Sequence, residues 1–335
     1  MELLNMEIYE IVEKALAGNK LTREEIIKLY SVDCFSKESY YIQWAGRKMS
    51  MEASGGIAEI HSQIGLDANP CPMNCQFCSF AVCNKLRTQK METPLEDIIE
   101  YAKIYEYDGA NLILLLTTAN YEFEKLLEVV SEVRNVISKD LPLLANTADM
   151  TLKQAEQLKK EGVNGVYHAI RLREGIVTNI SVEERLKTID NIKKSGLELC
   201  TCVEPIGPEH TPEELADSTL LSIDIDPVFS GAGKRIAVPG TMLAQEGMIS
   251  EVKGALYVAI YRLAAGRKNR LNCSGHSMLT ANAGANIAWS EVGTNPRDLK
   301  DKTEYGGRGQ SIESAKKVFS NTEWKVLEGP SPDWK

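Results

Sequence analysis

From Ile57 onward the chain alternates short apolar runs with longer charged stretches whose apolar residues recur every three or four positions. That rhythm predicts parallel βα units. The apolar runs place strands near Ile60–Leu66, Asn111–Leu116, Pro142–Asn146, Gly165–Ile170, Glu198–Val203, Asp226–Phe229, Arg270–Cys273 and Asn286–Trp289. Amphipathic helices fall between them, among them Pro94–Tyr107, Glu122–Ile137, Leu152–Glu161, Val182–Ser195 and Met248–Ala265. Eight such units predict an α/β fold, a (β/α)8 TIM-type barrel over residues 56–294, with its chemistry in the loops that follow the strands. Residues 1–55 read as an N-terminal helical extension: Met6–Ala17 is amphipathic, and Thr22 followed by Glu24 and Glu25 is a capped helix start. Residues 295–335 read as a C-terminal segment packed on the barrel, with one helix over Ser311–Phe319.

One loop of this pattern carries unusual chemistry. Cys71, Cys75 and Cys78 lie in Pro70-Cys71-Pro72-Met73-Asn74-Cys75-Gln76-Phe77-Cys78, a C-x-x-x-C-x-x-C spacing that offers three thiolates and no fourth. A structural zinc or a closed [4Fe–4S] cluster takes four protein ligands, whereas a cluster held by three leaves one iron open to a substrate or cofactor. The alternatives are a zinc knuckle completed by Cys83 or His61, or plain buried thiols. A second group, Cys200, Cys202 and Cys273, comes from predicted strands, and residues two apart on a strand face the same side. Together with Cys34 they are candidate ligands of an auxiliary iron–sulfur cluster, or else ordinary buried cysteines.

Composition narrows the setting. A net charge of −9 with no lysine-rich block disfavours a nucleic-acid partner. The longest apolar run, Leu112 to Leu116, is far too short to span a bilayer, and the N-terminus lacks an export pattern, so the expectation is a cytoplasmic protein without membrane contact. Eight cysteines in such a chain point to metal or redox chemistry, suited to an anaerobic cell.

The cysteine spacing, with Phe77 before the last cysteine, resembles the signature of radical S-adenosylmethionine enzymes. From about Ser50 to Arg297 the order of features is similar to biotin synthase and its relatives, among them the hydrogenase radical maturase, methylornithine synthase and the two-protein lipoyl synthases. The stretch from Gly196 to Glu209 resembles that group's fifth strand, whose apolar-Gly-x-Glu turn, here starting at Ile206, lies near the adenine. Arg270 to Gly275 and Ala283 to Asn286 resemble its seventh strand and the entry to its eighth. The resemblance implies a [4Fe–4S] cluster on Cys71, Cys75 and Cys78, S-adenosylmethionine on its open iron, and a 5′-deoxyadenosyl radical that removes hydrogen from an unactivated carbon. It implies cofactor contacts at Phe77, Thr117, Thr118, Arg171, Arg173, Glu174 and Ile206, with Glu174 on the ribose hydroxyls and the arginines on a carboxylate. Cys200 matches the region holding the sulfur-donating cluster of biotin synthase, and Arg270 that cluster's arginine ligand. The expected activity is therefore sulfur insertion by a sulfurtransferase-type enzyme using an auxiliary cluster. The cysteines expected after the second and third strands are absent, which keeps open a redox-neutral rearrangement or cofactor-maturation reaction with one cluster, and a non-catalytic iron–sulfur scaffold. Expected partners are a small-molecule or protein-borne substrate and an electron donor such as ferredoxin or flavodoxin. The loops Ser230-Gly231-Ala232-Gly233-Lys234-Arg235 and Cys273-Ser274-Gly275-His276 are candidate anion cradles.

Overall fold

The computed structural model describes residues 5–274 and 277–334. Eight parallel strands close into a barrel: β1 (Ile57–Gly65), β2 (Leu112–Leu116), β3 (Leu143–Asn146), β4 (Gly165–Tyr167), β5 (Glu198–Cys200), then, past the short β6 (Val203–Ile206), β7 (Phe229–Lys234), β8 (Leu271–Cys273) and β9 (Ile287–Gly293). β1 pairs with both β2 and β9, running from Glu59↔Ile287 to Gly65↔Gly293, and this closes the ring. β6 continues the course of β5 and pairs with β7, and β10 (Lys325–Val326) adds to the start of β1. Gly275 and His276 lie outside the described residues.

Alternation along the strands sorts side chains between two layers. On β2, Leu112, Leu114 and Leu116 face the barrel interior with Tyr167, Phe229 and Cys273, while Ile113 and Leu115 face the surrounding helices. Those helices are α1 (Met6–Leu16), α2 (Arg23–Tyr30), α3 (Lys37–Ser54), α4 (Leu95–Asp108), α5 (Phe123–Val136), α6 (Leu152–Lys160), α7 (Val182–Lys194), α8 (Pro212–Asp224), α9 (Glu251–Ala265), α10 (Met278–Asn282) and α11 (Ile312–Ser320). Thr22, Thr151, Ser181 and Thr211 begin α2, α6, α7 and α8 with reciprocal capping boxes, which fixes where each loop ends. The apolar faces of α1, α2 and α3 pack on α8 and α9 outside the barrel wall.

One glycine-bearing segment differs from the sequence expectation. Ser230–Lys234 is not an anion cradle but the body of β7, a strand that its glycines disguise. A Cβ on Gly231 would sit 1.8 Å from the Cys273 carbonyl oxygen, so the bare glycine lets β7 and β8 approach closely. The barrel bottom is also built differently. Arg270, placed by resemblance among cluster ligands, lies at the entry of β8 and pairs with buried Glu59 and with Asp333 at 2.7 Å. Glu59 in turn holds His61 Nε2 at 2.9 Å, and Trp334 packs on Phe229 with ring centroids 6.2 Å apart. The C-terminal segment thus stoppers the bottom and leaves the opposite mouth open.

Candidate active site

The mouth opens into a chamber of about 430 Å³ walled by strand ends and the loops after them. The loop after β1 brings Cys71, Cys75 and Cys78 to its upper wall, together with Phe77. Its course is fixed by backbone pairing: Cys71 N–H donates to Phe80 O at 2.8 Å, Cys78 N–H to Cys75 O at 2.9 Å, and Gln76 N–H to Val177 O at 2.9 Å. Asn74 takes the left-handed conformation, φ 51°, that turns the chain between the first two cysteines. Burial pushes the Cys75 thiol up to about 11 and raises that of Cys78 too, so the thiolate forms need a cation to bind.

The ligands that would complete a zinc site are elsewhere. His61 is inside the barrel beneath the chamber, against Glu59. Cys83 donates its N–H to Asn74 Oδ1 at 2.9 Å and does not line the chamber. Three thiols on one wall, with the Arg171 cation beside them, suit an anionic cluster that uses three protein ligands. Burial opposes the Arg171 charge, but Cys75, Glu174 and Glu204 outweigh it and hold its pKa above the usual range. Its guanidinium lies 6.0 Å from the Phe77 ring centroid.

The other residues expected to touch the cofactor divide. Thr117 and Thr118 line the chamber; Thr117 donates to Thr147 Oγ1 at 2.9 Å, and Thr118 gives both its N–H and hydroxyl to buried Asp67. Neither caps α5, whose N-cap is Glu122. Glu174 does not reach the chamber. Its carboxylate is spent within its own loop, accepting from Arg171 N–H at 2.9 Å and Thr178 hydroxyl at 2.6 Å, with Arg185 Nε 3.5 Å away. Arg173 points outward and forks onto Glu214 at the start of α8, at 2.7 and 3.0 Å. Ile206 is buried under the helices, because an irregularity between Val203 and Ile206 breaks the strand alternation and leaves Glu204 and Pro205 facing the chamber.

The second cysteine group is only partly assembled. Cys202 and Cys273 open on the chamber floor in contact with each other, and Trp289 Nε1–H donates to Cys273 Sγ at 3.4 Å. Cys200 sits inside the barrel but beneath that floor, donating to Val166 O at 3.5 Å. Cys34 is outside the barrel wall, in the layer between the N-terminal helices and α9, and cannot join the others. Among the described residues, no three His, Cys, Asp or Glu side chains stand close enough to hold one metal ion, and this applies to Cys71, Cys75 and Cys78 as well as to the second group; the first three share one wall without closing on a common point.

Several wall residues carry no motif. His168 Nε2 lies 3.0 Å from Asp149 Oδ1 and 3.2 Å from Arg185 Nη1. Burial pushes His168 down to about 4 against the pull of Asp149, and Arg185 helps, so the imidazole is neutral at pH 7. From the segment after β9 come Arg297, paired with Glu291, and Arg308, whose buried Nε has no hydrogen-bond partner among the described residues.

Residues 68–221 match the radical SAM superfamily. Among curated proteins, the biotin synthase of Carboxydothermus hydrogenoformans is 26% identical over 275 residues, covering 78% of this chain and 82% of that protein. That of Clostridium tetani is 24% identical over 315 residues, covering 89% and 95%. The chain is similar to biotin-synthase-like radical S-adenosylmethionine enzymes. The radical SAM superfamily implies a [4Fe–4S] cluster and S-adenosylmethionine. Solved structures agree on the barrel fold. Methylornithine synthase superposes with a TM-score of 0.75 at 20% identity, covering 96% of this chain and 98% of that one. The [FeFe]-hydrogenase maturase HydG of C. hydrogenoformans gives 0.76 at 18%, covering 96% and 80%. Among the described residues, no helix is long and apolar enough to cross a membrane.

Proposed function

We propose that Cys71, Cys75 and Cys78 hold the cluster and that the enzyme removes a hydrogen atom from an unactivated carbon of a small molecule bound in the chamber. The observation that carries this reading is the convergence of the three thiols, Phe77 and the Arg171 cation on one wall of a single large chamber. A cluster held by Cys71, Cys75 and Cys78 would supply the electron for reductive cleavage of S-adenosylmethionine, and with it the means to abstract the hydrogen atom.

The chain's own residues bind, orient and exclude. The Arg171 guanidinium would meet the methionyl carboxylate, and Thr117 lines the same chamber. The stoppered bottom keeps bulk water from the radical. Arg308, with Arg297 and Lys234 nearby, presents positive charge to an anionic substrate, a carboxylate or phosphate. A low-potential one-electron donor such as ferredoxin or flavodoxin supplies the electron in a cytoplasmic, anaerobic setting.

The geometry favours a single-cluster, redox-neutral reaction, because only two of the auxiliary candidates open on the chamber. Sulfur insertion is the second reading, supported by Cys200, Cys202 and Cys273 sharing the barrel interior. Iron and sulfide counts of anaerobically reconstituted protein test both. Cys71→Ala/Cys75→Ala/Cys78→Ala is expected to lose all bound iron and all 5′-deoxyadenosine formation. Iron retained in that variant supports the second cluster, and full turnover by Cys75→Ala overturns the assignment of the first.

A further inference from the structure

Taking a hydrogen atom from carbon leaves a carbon radical, and a redox-neutral reaction must give a hydrogen atom back. The chamber carries a group suited to this on its floor, away from the cysteine loop above the strand ends. Cys202 follows β5 and Cys273 ends β8; both are buried, both line the chamber, and their side chains contact each other. Tyr167 touches Cys202, and the Trp289 indole N–H anchors Cys273. Leu114, Leu116 and Ala169 lie in the same interior layer, and the contact with Cys273, burial and the nearby Glu204 carboxylate keep Cys202 a neutral thiol. An S–H bond is weaker than the C–H bond of an unactivated carbon, so transfer from thiol to alkyl radical runs downhill.

We propose that the Cys202–Cys273 thiol pair returns a hydrogen atom to the substrate radical, so that the enzyme epimerises or isomerises a small molecule. The inference rests on the radical chemistry proposed above and stands against its sulfur-inserting form, in which the same sulfurs would hold iron. The adenosyl radical breaks a substrate C–H bond and becomes 5′-deoxyadenosine. The substrate radical, approached from the floor, breaks the Cys202 S–H bond, forms a new C–H bond and leaves a thiyl radical. A second electron from the low-potential donor and a proton from solvent restore the thiol. Each turnover therefore consumes one S-adenosylmethionine, two electrons and one proton, while the substrate keeps its composition. Because hydrogen leaves on the cysteine-loop side and arrives from the floor, inversion at one carbon is the simplest outcome.

The test needs no substrate. Cluster-reconstituted full-length protein is given S-adenosylmethionine and dithionite in D2O, where thiols carry deuterium and carbon-bound hydrogens do not. With the chamber otherwise empty, the radical is quenched by its walls, and mass spectrometry reads deuterium per 5′-deoxyadenosine formed. Wild type is expected to yield mostly singly deuterated product. In Cys202→Ser/Cys273→Ser the labelled fraction is expected to fall at least tenfold, because a serine O–H bond is too strong to be broken by an alkyl radical. Either single serine variant serves where the double variant does not fold. Cys200→Ser, below the floor, and Tyr167→Phe are expected to keep the label, which assigns the donor to the floor thiols. Unlabelled product from wild type overturns the thiol proposal and leaves the radical reading intact. Absence of 5′-deoxyadenosine from wild type overturns the radical reading itself. Iron well above about four per chain that drops on Cys202→Ser overturns the thiol proposal in favour of a second cluster.

Discussion

His168 illustrates how single residues on the chamber wall are tuned by what surrounds them. Burial lowers its pKa to about 4, from an ordinary value near 6.5 in the unfolded chain. Between those values the unfolded state holds a proton that the folded state does not. Stability is therefore full above about pH 6.5 and is lost as pH falls toward 4, with a slope of at most about 1.4 kcal/mol per pH unit. Urea unfolding of His168→Gln is expected to show that slope flattened. His210, also pushed down by burial, adds to it in the same direction, so the flattening is partial. An unchanged slope would mean that His168 is already protonated in the folded chamber. Residues of this kind leave little trace in the sequence. Cys71, Cys75 and Cys78 announce themselves by spacing, whereas Asp149, Arg185, Arg297 and Arg308 reach the chamber from separate segments. Glu174 misleads for a related reason: it follows a strand as a ribose ligand would, but Thr178 and the Arg171 backbone claim its carboxylate first.

At the scale of elements, legibility follows how strongly each one advertises its pattern. The leucine run of β2 and the capped helices α6 and α7 fall within a residue or two of their expected bounds. β7 is expected from the sequence at Asp226–Phe229 but begins at Phe229 and runs to Lys234, because its glycines carry no hydrophobic signal and its interior positions are set by close backbone approach to β8. That makes Gly231 a sharp test. Gly231→Ala drives a methyl into the Cys273 backbone and is expected to destabilise the protein by about 1–3 kcal/mol. Gly233→Ala, on the same strand, meets the Glu204 side chain at 3.4 Å and the Val203 carbonyl oxygen at 3.9 Å, both ordinary contact distances, and is expected to be tolerated. Equal urea midpoints for the two variants would show that β7 and β8 can separate without cost. The bulge at β6 is invisible in the sequence, since it depends on pairing with β7, and it buries Ile206 while Glu204 and Pro205 line the chamber.

The molecule as a whole is a barrel with one closed and one open end, and the closed end depends on a buried charge network. Removing Arg270 leaves Glu59, fully buried, without its cation. Arg270→Ala is therefore expected to cost about 3–5 kcal/mol in urea unfolding, the usual penalty for stranding one member of a buried pair. Asp333→Asn, at the half-exposed rim, is expected to cost less. If both variants unfold alongside wild type, water reaches Glu59 and the stopper is loose. The same architecture orders events during synthesis. The cysteine loop leaves the ribosome early, but β9, which closes the ring, and the Arg297–Arg308 segment, which finishes the mouth, emerge more than two hundred residues later. At ~5–20 residues per second the nascent thiols wait on the order of ten seconds or more without a completed chamber around them. An air-sensitive cluster is best delivered after release, through the open mouth, which makes iron loading a step that follows barrel closure.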